Sequence, residues 1–117
     1  MYGYLTTHIL DTAKGCPAAG VKIDLFRIEG DQRIHLNCVH TNSDGRTDGP
    51  ILPEDKFQTG IYELVFQAGD YIIRATGANR SELFLDVVPI QFHMAGQTHY
   101  HVPLLISPFG YSTYRGS

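Results

Sequence analysis

The feature that most restricts what this chain can fold into is a hydrophobic alternation of period two, cut by turn signals roughly every eight to twelve residues. Leu5, Thr7 and Ile9 alternate with Thr6, His8 and Leu10; Val21, Ile23 and Leu25 alternate with Lys22, Asp24 and Phe26. Tyr62, Leu64 and Phe66 repeat the pattern, as do Val88, Ile90 and Phe92, and then Tyr100, Val102, Leu104 and Ile106. Period two places successive side chains on opposite faces of a strand, one for a core and one for solvent or a site. Between the runs stand Lys14-Gly15-Cys16-Pro17, Gly30-Asp31, Asn42-Ser43-Asp44-Gly45, Pro53-Glu54-Asp55-Lys56 and Ala78-Asn79-Arg80. Each is rich in residues that stabilise turns.

The pattern predicts strands over 3–12, 21–28, 33–41, 60–67, 83–93, 98–107 and 111–115, with a short one beginning at Ile51-Leu52. Residues 68–77 are the one helix candidate, with Asp70 as its cap and Gly77 as its end. Short strands at this spacing predict an all-β sandwich of two antiparallel sheets. Pro89 lies inside the 83–93 run and has no N–H to donate, so that strand is expected at a sheet edge.

With 117 residues, the chain is expected to form a single domain over 1–117. Its net charge of −3 and its lack of basic clusters exclude nucleic acid and anionic membrane surfaces as expected partners. No apolar run approaches the ~20 residues of a spanning helix. The start, Met1-Tyr2-Gly3-Tyr4-Leu5, lacks the pattern of a secretory signal, so the cytoplasm is the expected location. Cys16 and Cys38 are spaced neither as a metal knuckle nor as a redox pair, and two free thiols are expected.

Chemistry-bearing residues fall in three stretches. In 98–107, the face opposite Tyr100, Val102, Leu104 and Ile106 carries His99 and His101, where a buried sheet would carry apolar residues. His8 stands on the polar face of the first strand, and Arg46 lies in the Asp44-Gly45-Arg46-Thr47 turn. The chain ends on Tyr114-Arg115-Gly116-Ser117, a dense run of functional groups where most domains fray. Singly, each has a plain reading: a solvent-facing histidine, a solvated arginine, packing tyrosines. His99 and His101 with His8 could instead hold a metal. No H-E-x-x-H pattern accompanies them, and neither metal nor cofactor is expected.

Taken together, five stretches resemble the 5-hydroxyisourate hydrolases, the enzyme branch of the transthyretin family. They are Leu5-Thr6-Thr7-His8-Ile9-Leu10-Asp11-Thr12, Asn42-Ser43-Asp44-Gly45-Arg46-Thr47-Asp48-Gly49-Pro50, Gly60-Ile61-Tyr62-Glu63-Leu64, His99-Tyr100-His101-Val102-Pro103-Leu104-Leu105 and the terminal tetrapeptide. The likeness spans essentially the whole chain. Pro89 departs from it, standing where the family usually has a hydrogen-bonding residue. The resemblance implies a transthyretin-like sandwich of two four-stranded antiparallel sheets with one short helix. It also implies a homotetramer, a dimer of dimers, with the site in its central channel. The implied reaction opens the six-membered ring of 5-hydroxyisourate to give 2-oxo-4-hydroxy-4-carboxy-5-ureidoimidazoline in urate degradation. The residues carried over are His8, Arg46 and His101, with Tyr114 and Ser117 from the tail.

The residue types suit that chemistry. The substrate is a flat, oxygen-rich, readily anionic ring, and a guanidinium offers it a rigid charged fork, which assigns Arg46 to binding. Hydrolysis needs a base for the attacking water, and a neutral imidazole has a suitable pKa. His101 is the expected base, with His8 orienting it or returning the proton, and the two could exchange roles. Tyr114 would bind the ring through its hydroxyl. Ser117, by hydroxyl or terminal carboxylate, would hold a histidine or the water. The alternative is a transthyretin-like carrier that binds a small ligand without turnover; it would not need His8, Arg46, His101 and the tail together.

Overall fold

A computed structural model describes residues 3–116. In chain order the elements are β1 (Tyr4–Asp11), β2 (Cys16–Pro17), β3 (Lys22–Glu29), β4 (Gln32–His40), β5 (Gly60–Gln67), α1 (Ala68–Thr76), β6 (Val87–Met94), β7 (His99–Ser107) and β8 (Gly110–Thr113). They form two four-stranded sheets, β2-β1-β7-β8 and β4-β3-β5-β6. The alternating apolar faces meet between the sheets. Leu5, Ile9, Leu104 and Ile106 from one pack with Ile23, Leu25, Leu64 and Phe66 from the other, all essentially inaccessible.

The expected sandwich is present, with one correction to its pairing. The β1 and β7 strands run parallel, with Tyr4 opposite His99 and Thr6 opposite His101, so the first sheet is mixed rather than antiparallel. Side-chain alternation reports which face is buried but not strand direction. The second sheet is antiparallel throughout. Strand β6 is at its edge, where Pro89 costs no ladder bond between inner strands. Gly30 and Asp31 join β3 to β4 as a hairpin.

Other boundaries shift for local reasons. The 83–93 run is strand only from Val87, because residues Arg80–Glu82 form a 3-10 turn fixed by a capping box between Asn79 and Glu82. Leu52 makes a single bridge to Leu5 instead of beginning a strand. The last strand stops at Thr113, and the chain rejoins β7 at a lone bridge from Gly116 to His101. Helix α1 leaves β5 with no loop, so Gln67 occupies the cap position and Asp70 falls inside the first turn. Asp70 is therefore no cap: it pairs with Arg80, and its charge still suits the positive end of the helix. The helix ends at Gly77, whose N–H donates to the Ile73 carbonyl at 2.8 Å.

Asp11, buried on β1, ties the helix to the sheet. Its carboxylate accepts from the N–H groups of Ala13 and Lys14 at 3.0 Å and from the Tyr71 hydroxyl at 2.8 Å. Burial and then this carboxylate hold the Tyr71 phenol well above its ordinary range. Cys16 and Cys38 are free thiols. No helix among the described residues is long and apolar enough to cross a membrane.

Candidate active site

The parallel register of β1 and β7 builds the site. It sets Tyr4, Thr6 and His8 beside His99, His101 and Pro103 on the sheet face turned away from the core. The same pairing puts Leu5, Thr7 and Ile9 with Tyr100, Val102 and Leu104 on the buried face. The hydrophobic layer thus anchors the polar one.

The 42–49 turn closes over this face. Asn42 organises it, its side-chain oxygen accepting from the N–H of Asp44 at 2.9 Å and of Arg46 at 3.2 Å. The Gly45 carbonyl accepts from the Ile9 N–H at 2.8 Å, pinning the turn to β1. Gly45 has φ +74°, and a Cβ there would sit 2.4 Å from the Ile9 carbonyl oxygen. Arg46 is thereby bridged to His8. Gly45→Ala is expected to destabilise the fold by more than about 1–2 kcal/mol, from left-handed strain plus the backbone clash. It should also raise KM by displacing Arg46. Thermal melting and steady-state kinetics check this; an unchanged Tm and KM would contradict it.

Between β1, β7 and the turn lies an open groove of about 540 Å³. Tyr4, Thr6, Arg46, Thr47, His99 and His101 all line it. That volume suits a small molecule, for which sites span ~300–1,000 Å³. Arg46 is exposed and makes no ion pair among the described residues, which leaves its guanidinium available to an anion. His101 is partly buried. Burial, and then the charges of Arg46, His99 and His8, hold its pKa below the ordinary imidazole value. The shift favours the neutral form of His101, the one that can accept a proton.

The other expected residues divide. His8 does not line the groove, and its Nε2 lies 2.9 Å from the Asp44 carbonyl oxygen. A carbonyl only accepts, so this nitrogen carries the proton and Nδ1 is the free one. The tail reaches His101 by its backbone: the Gly116 N–H donates to the His101 carbonyl at 2.7 Å, and Arg115 lies 4.5 Å over the Tyr100 ring. Tyr114 is 60% exposed and does not join the groove. It borders a separate hollow with Phe92, His93 and Arg115. Ser117 lies outside the described residues. The histidines do not converge as metal ligands. His99 and His101 both hydrogen-bond the Thr6 hydroxyl, and His8 is turned to a carbonyl. Among the described residues no group of three or more His, Cys, Asp and Glu side chains could hold a metal ion.

Sequence reasoning missed the part played by Thr6 and Tyr4. Thr6 bonds both histidines of β7, and Tyr4 stacks on His99 with ring centroids 4.1 Å apart and planes 5° apart. The usable signal was that both share the His8 face of the first strand; the missing fact was the β1–β7 register.

The sequence model of the HIUase/Transthyretin family matches residues 5–116. The chain belongs to that family. Among family members, a 5-hydroxyisourate hydrolase 2 of Rhizobium meliloti is 60% identical over 116 residues, covering 98% of this chain and 97% of that one. The structure of Klebsiella pneumoniae 5-hydroxyisourate hydrolase superposes with a TM-score of 0.81 at 38% identity, covering 97% of this chain and 99% of that one. Transthyretin from Sparus aurata gives 0.84 at 28% identity, over 96% and 95% of the two chains. Hydrolase and transthyretin relatives thus fit the backbone about equally well. The family fold alone does not separate catalysis from carriage, and the groove must.

Proposed function

We propose that this chain is a hydrolase that opens 5-hydroxyisourate to 2-oxo-4-hydroxy-4-carboxy-5-ureidoimidazoline. Kinship to hydroxyisourate hydrolases suggests the substrate. The observation that carries the reading is a partly buried His101, its pKa lowered, sharing one groove with an Arg46 that has no ion-pair partner among the described residues. A carrier has no need of a proton acceptor beside an anion-binding fork.

In this mechanism Arg46 binds the anionic ring through two of its heteroatoms. His101 takes a proton on Nε2 from a water as the water oxygen bonds to the ring carbonyl carbon. The carbonyl re-forms, the ring C–N bond breaks, and the leaving nitrogen receives a proton from His101 or by way of His8. The carbonyl carbon stays in the product as a carboxylic acid, which gives its remaining proton to solvent to become the carboxylate. His101 is favoured over His8 as base because it lines the groove and His8 does not. Base catalysis of this kind contributes roughly 10²–10⁴-fold.

The working form in this proposal is a homotetramer, a dimer of dimers, in which Tyr114 reaches a neighbour's site while Gly116 stays on its own chain's His101. Tyr114, exposed and outside its own subunit's groove, is placed as such a residue would be. The two free cysteines fit a cytoplasmic location.

The reading is tested by product. With protein far below the substrate concentration, carbon-13 NMR should show all the 5-hydroxyisourate passing rapidly to the ring-opened product. Loss of no more than one equivalent per subunit above the spontaneous background would indicate carriage. The rate should also fall as pH drops through the pKa of His101. Because that value is depressed, activity should persist below pH ~6.5, where a free imidazole is half protonated. A rate that halves at or above pH ~6.5, or one flat over pH ~5–8 after background correction, would remove His101 as the base.

A further inference from the structure

Thr6 holds both histidines of β7 through one atom. Its Oγ1 is 2.6 Å from Nε2 of His99 and 2.7 Å from Nδ1 of His101. A hydroxyl has one proton to donate. With both imidazoles neutral and the hydroxyl proton directed to one of them, that ring accepts it and the other donates its own N–H to the oxygen. The three groups form a directed chain with two settings. In one, His101 donates Nδ1–H to Thr6 and Thr6 donates to His99, which leaves a lone pair on Nε2 of His101. In the other, His99 donates to Thr6 and Thr6 donates to His101, so Nε2 of His101 carries a proton and cannot act as a base.

We propose that Thr6 and His99 are positioning residues that fix His101 in the first setting, its lone pair on Nε2 at the groove. This rests on the reading of His101 as the base. Three features support it. The stack on Tyr4 fixes the His99 ring, with its Nε2 at hydrogen-bond distance from Thr6. The β1–β7 register sets Thr6 directly opposite His101. Arg46 shares the groove with His101, and its positive charge favours a lone pair over an N–H on the ring nitrogen that Thr6 leaves free. The setting also helps the reaction. Once His101 takes a proton on Nε2, its Nδ1–H becomes a charged donor, and Thr6 is already oriented to accept it.

Among the described residues, the charged and titratable groups around His101 are His99 on its own strand, Tyr4 and His8 on β1, Arg46 on the turn and Arg115 in the tail. Thr6→Val removes the hydroxyl and leaves all of them in place. Protein labelled with nitrogen-15 at histidine, held above the titration of both rings, should show His101 and His99 each protonated on Nδ1 and bare on Nε2. In Thr6→Val, His101 should lose that single tautomer. Its kcat should fall about 10- to 100-fold, part of the full contribution of a general base, with KM nearly unchanged. The acid limb of the pH profile should move to lower pH, because the imidazolium has lost its acceptor. Thr6→Ser should restore the tautomer, the limb and most of kcat. His99→Phe keeps the stack on Tyr4 but removes the acceptor of the Thr6 proton, so it should release the tautomer and lower kcat while moving the acid limb less, because Thr6 can still accept from His101.

A proton on Nε2 of His101 in the unsubstituted protein would overturn the proposal. So would a valine variant with lower Tm but an unchanged tautomer and acid limb, which is what a purely structural Thr6 predicts. Failure of the base reading is seen separately: His101→Ala would stay active whatever the spectrum shows.

Discussion

His101→Ala should lower kcat by about 10²–10⁴-fold while the protein stays folded. The ring is partly buried, and its loss removes one hydrogen bond to Thr6 and none of the hydrophobic layer between the sheets. The chemical consequence is larger, because His101 is the groove residue whose neutral form is favoured by burial and nearby cations. KM should change less, since Arg46 carries the binding. Kinetics with circular dichroism and thermal melting separate the two effects. A variant that keeps its rate would transfer the base role to the free Nδ1 of His8. A variant that loses its fold would make His101 a structural residue.

Deleting residues 114–117 should cost activity on the order of 10²-fold, the scale of a small misplacement of a reacting group. The tail contributes no core residue, so melting should change little. What it supplies is contact with the base. Gly116 donates to the His101 carbonyl and packs so closely that a Cβ there would lie 2.6 Å from His101 Cδ2. Gly116→Ala should therefore reproduce part of the loss. Near-normal turnover after deletion would show that the tail has no part in the site. The same variant tests sharing between subunits. His101→Ala protein and tail-deleted protein, inactive alone, are refolded together in equal amounts. If His101 and the tail of one site come from different chains, roughly a quarter of sites are complete and activity returns in that proportion. No return, with mixed tetramers confirmed by mass, would mean that each chain builds its own site.

Much of this molecule could be read from sequence because burial leaves a local trace. Leu5, Ile9, Leu64, Phe66, Leu104 and Ile106 lie at alternate positions in their strands and all reach the core. Pro89 marked an edge because a missing donor can be tolerated in few other places. His8, Arg46 and His101 could be singled out because each is a costly residue on an otherwise ordinary strand or turn; Arg46 and His101 share one groove, while His8 is bridged to Arg46 outside its lining. Strand direction left no such trace. The parallel pairing of β1 with β7 joins residues more than ninety positions apart, and it alone puts Thr6 between His99 and His101. Asp70 was misread as a cap for a related reason. Caps are local, but the absence of any loop between β5 and α1 is decided by how the sheet delivers the chain.

Hydrolysis of 5-hydroxyisourate in this groove can be followed directly. The compound is generated from urate with urate oxidase, catalytic amounts of the protein are added near neutral pH, and the decay of its ultraviolet absorbance is recorded. Decay should run well above the spontaneous rate, in proportion to protein, and be lost in His101→Ala. Decay no faster than background, from protein shown to be folded, would contradict such hydrolysis.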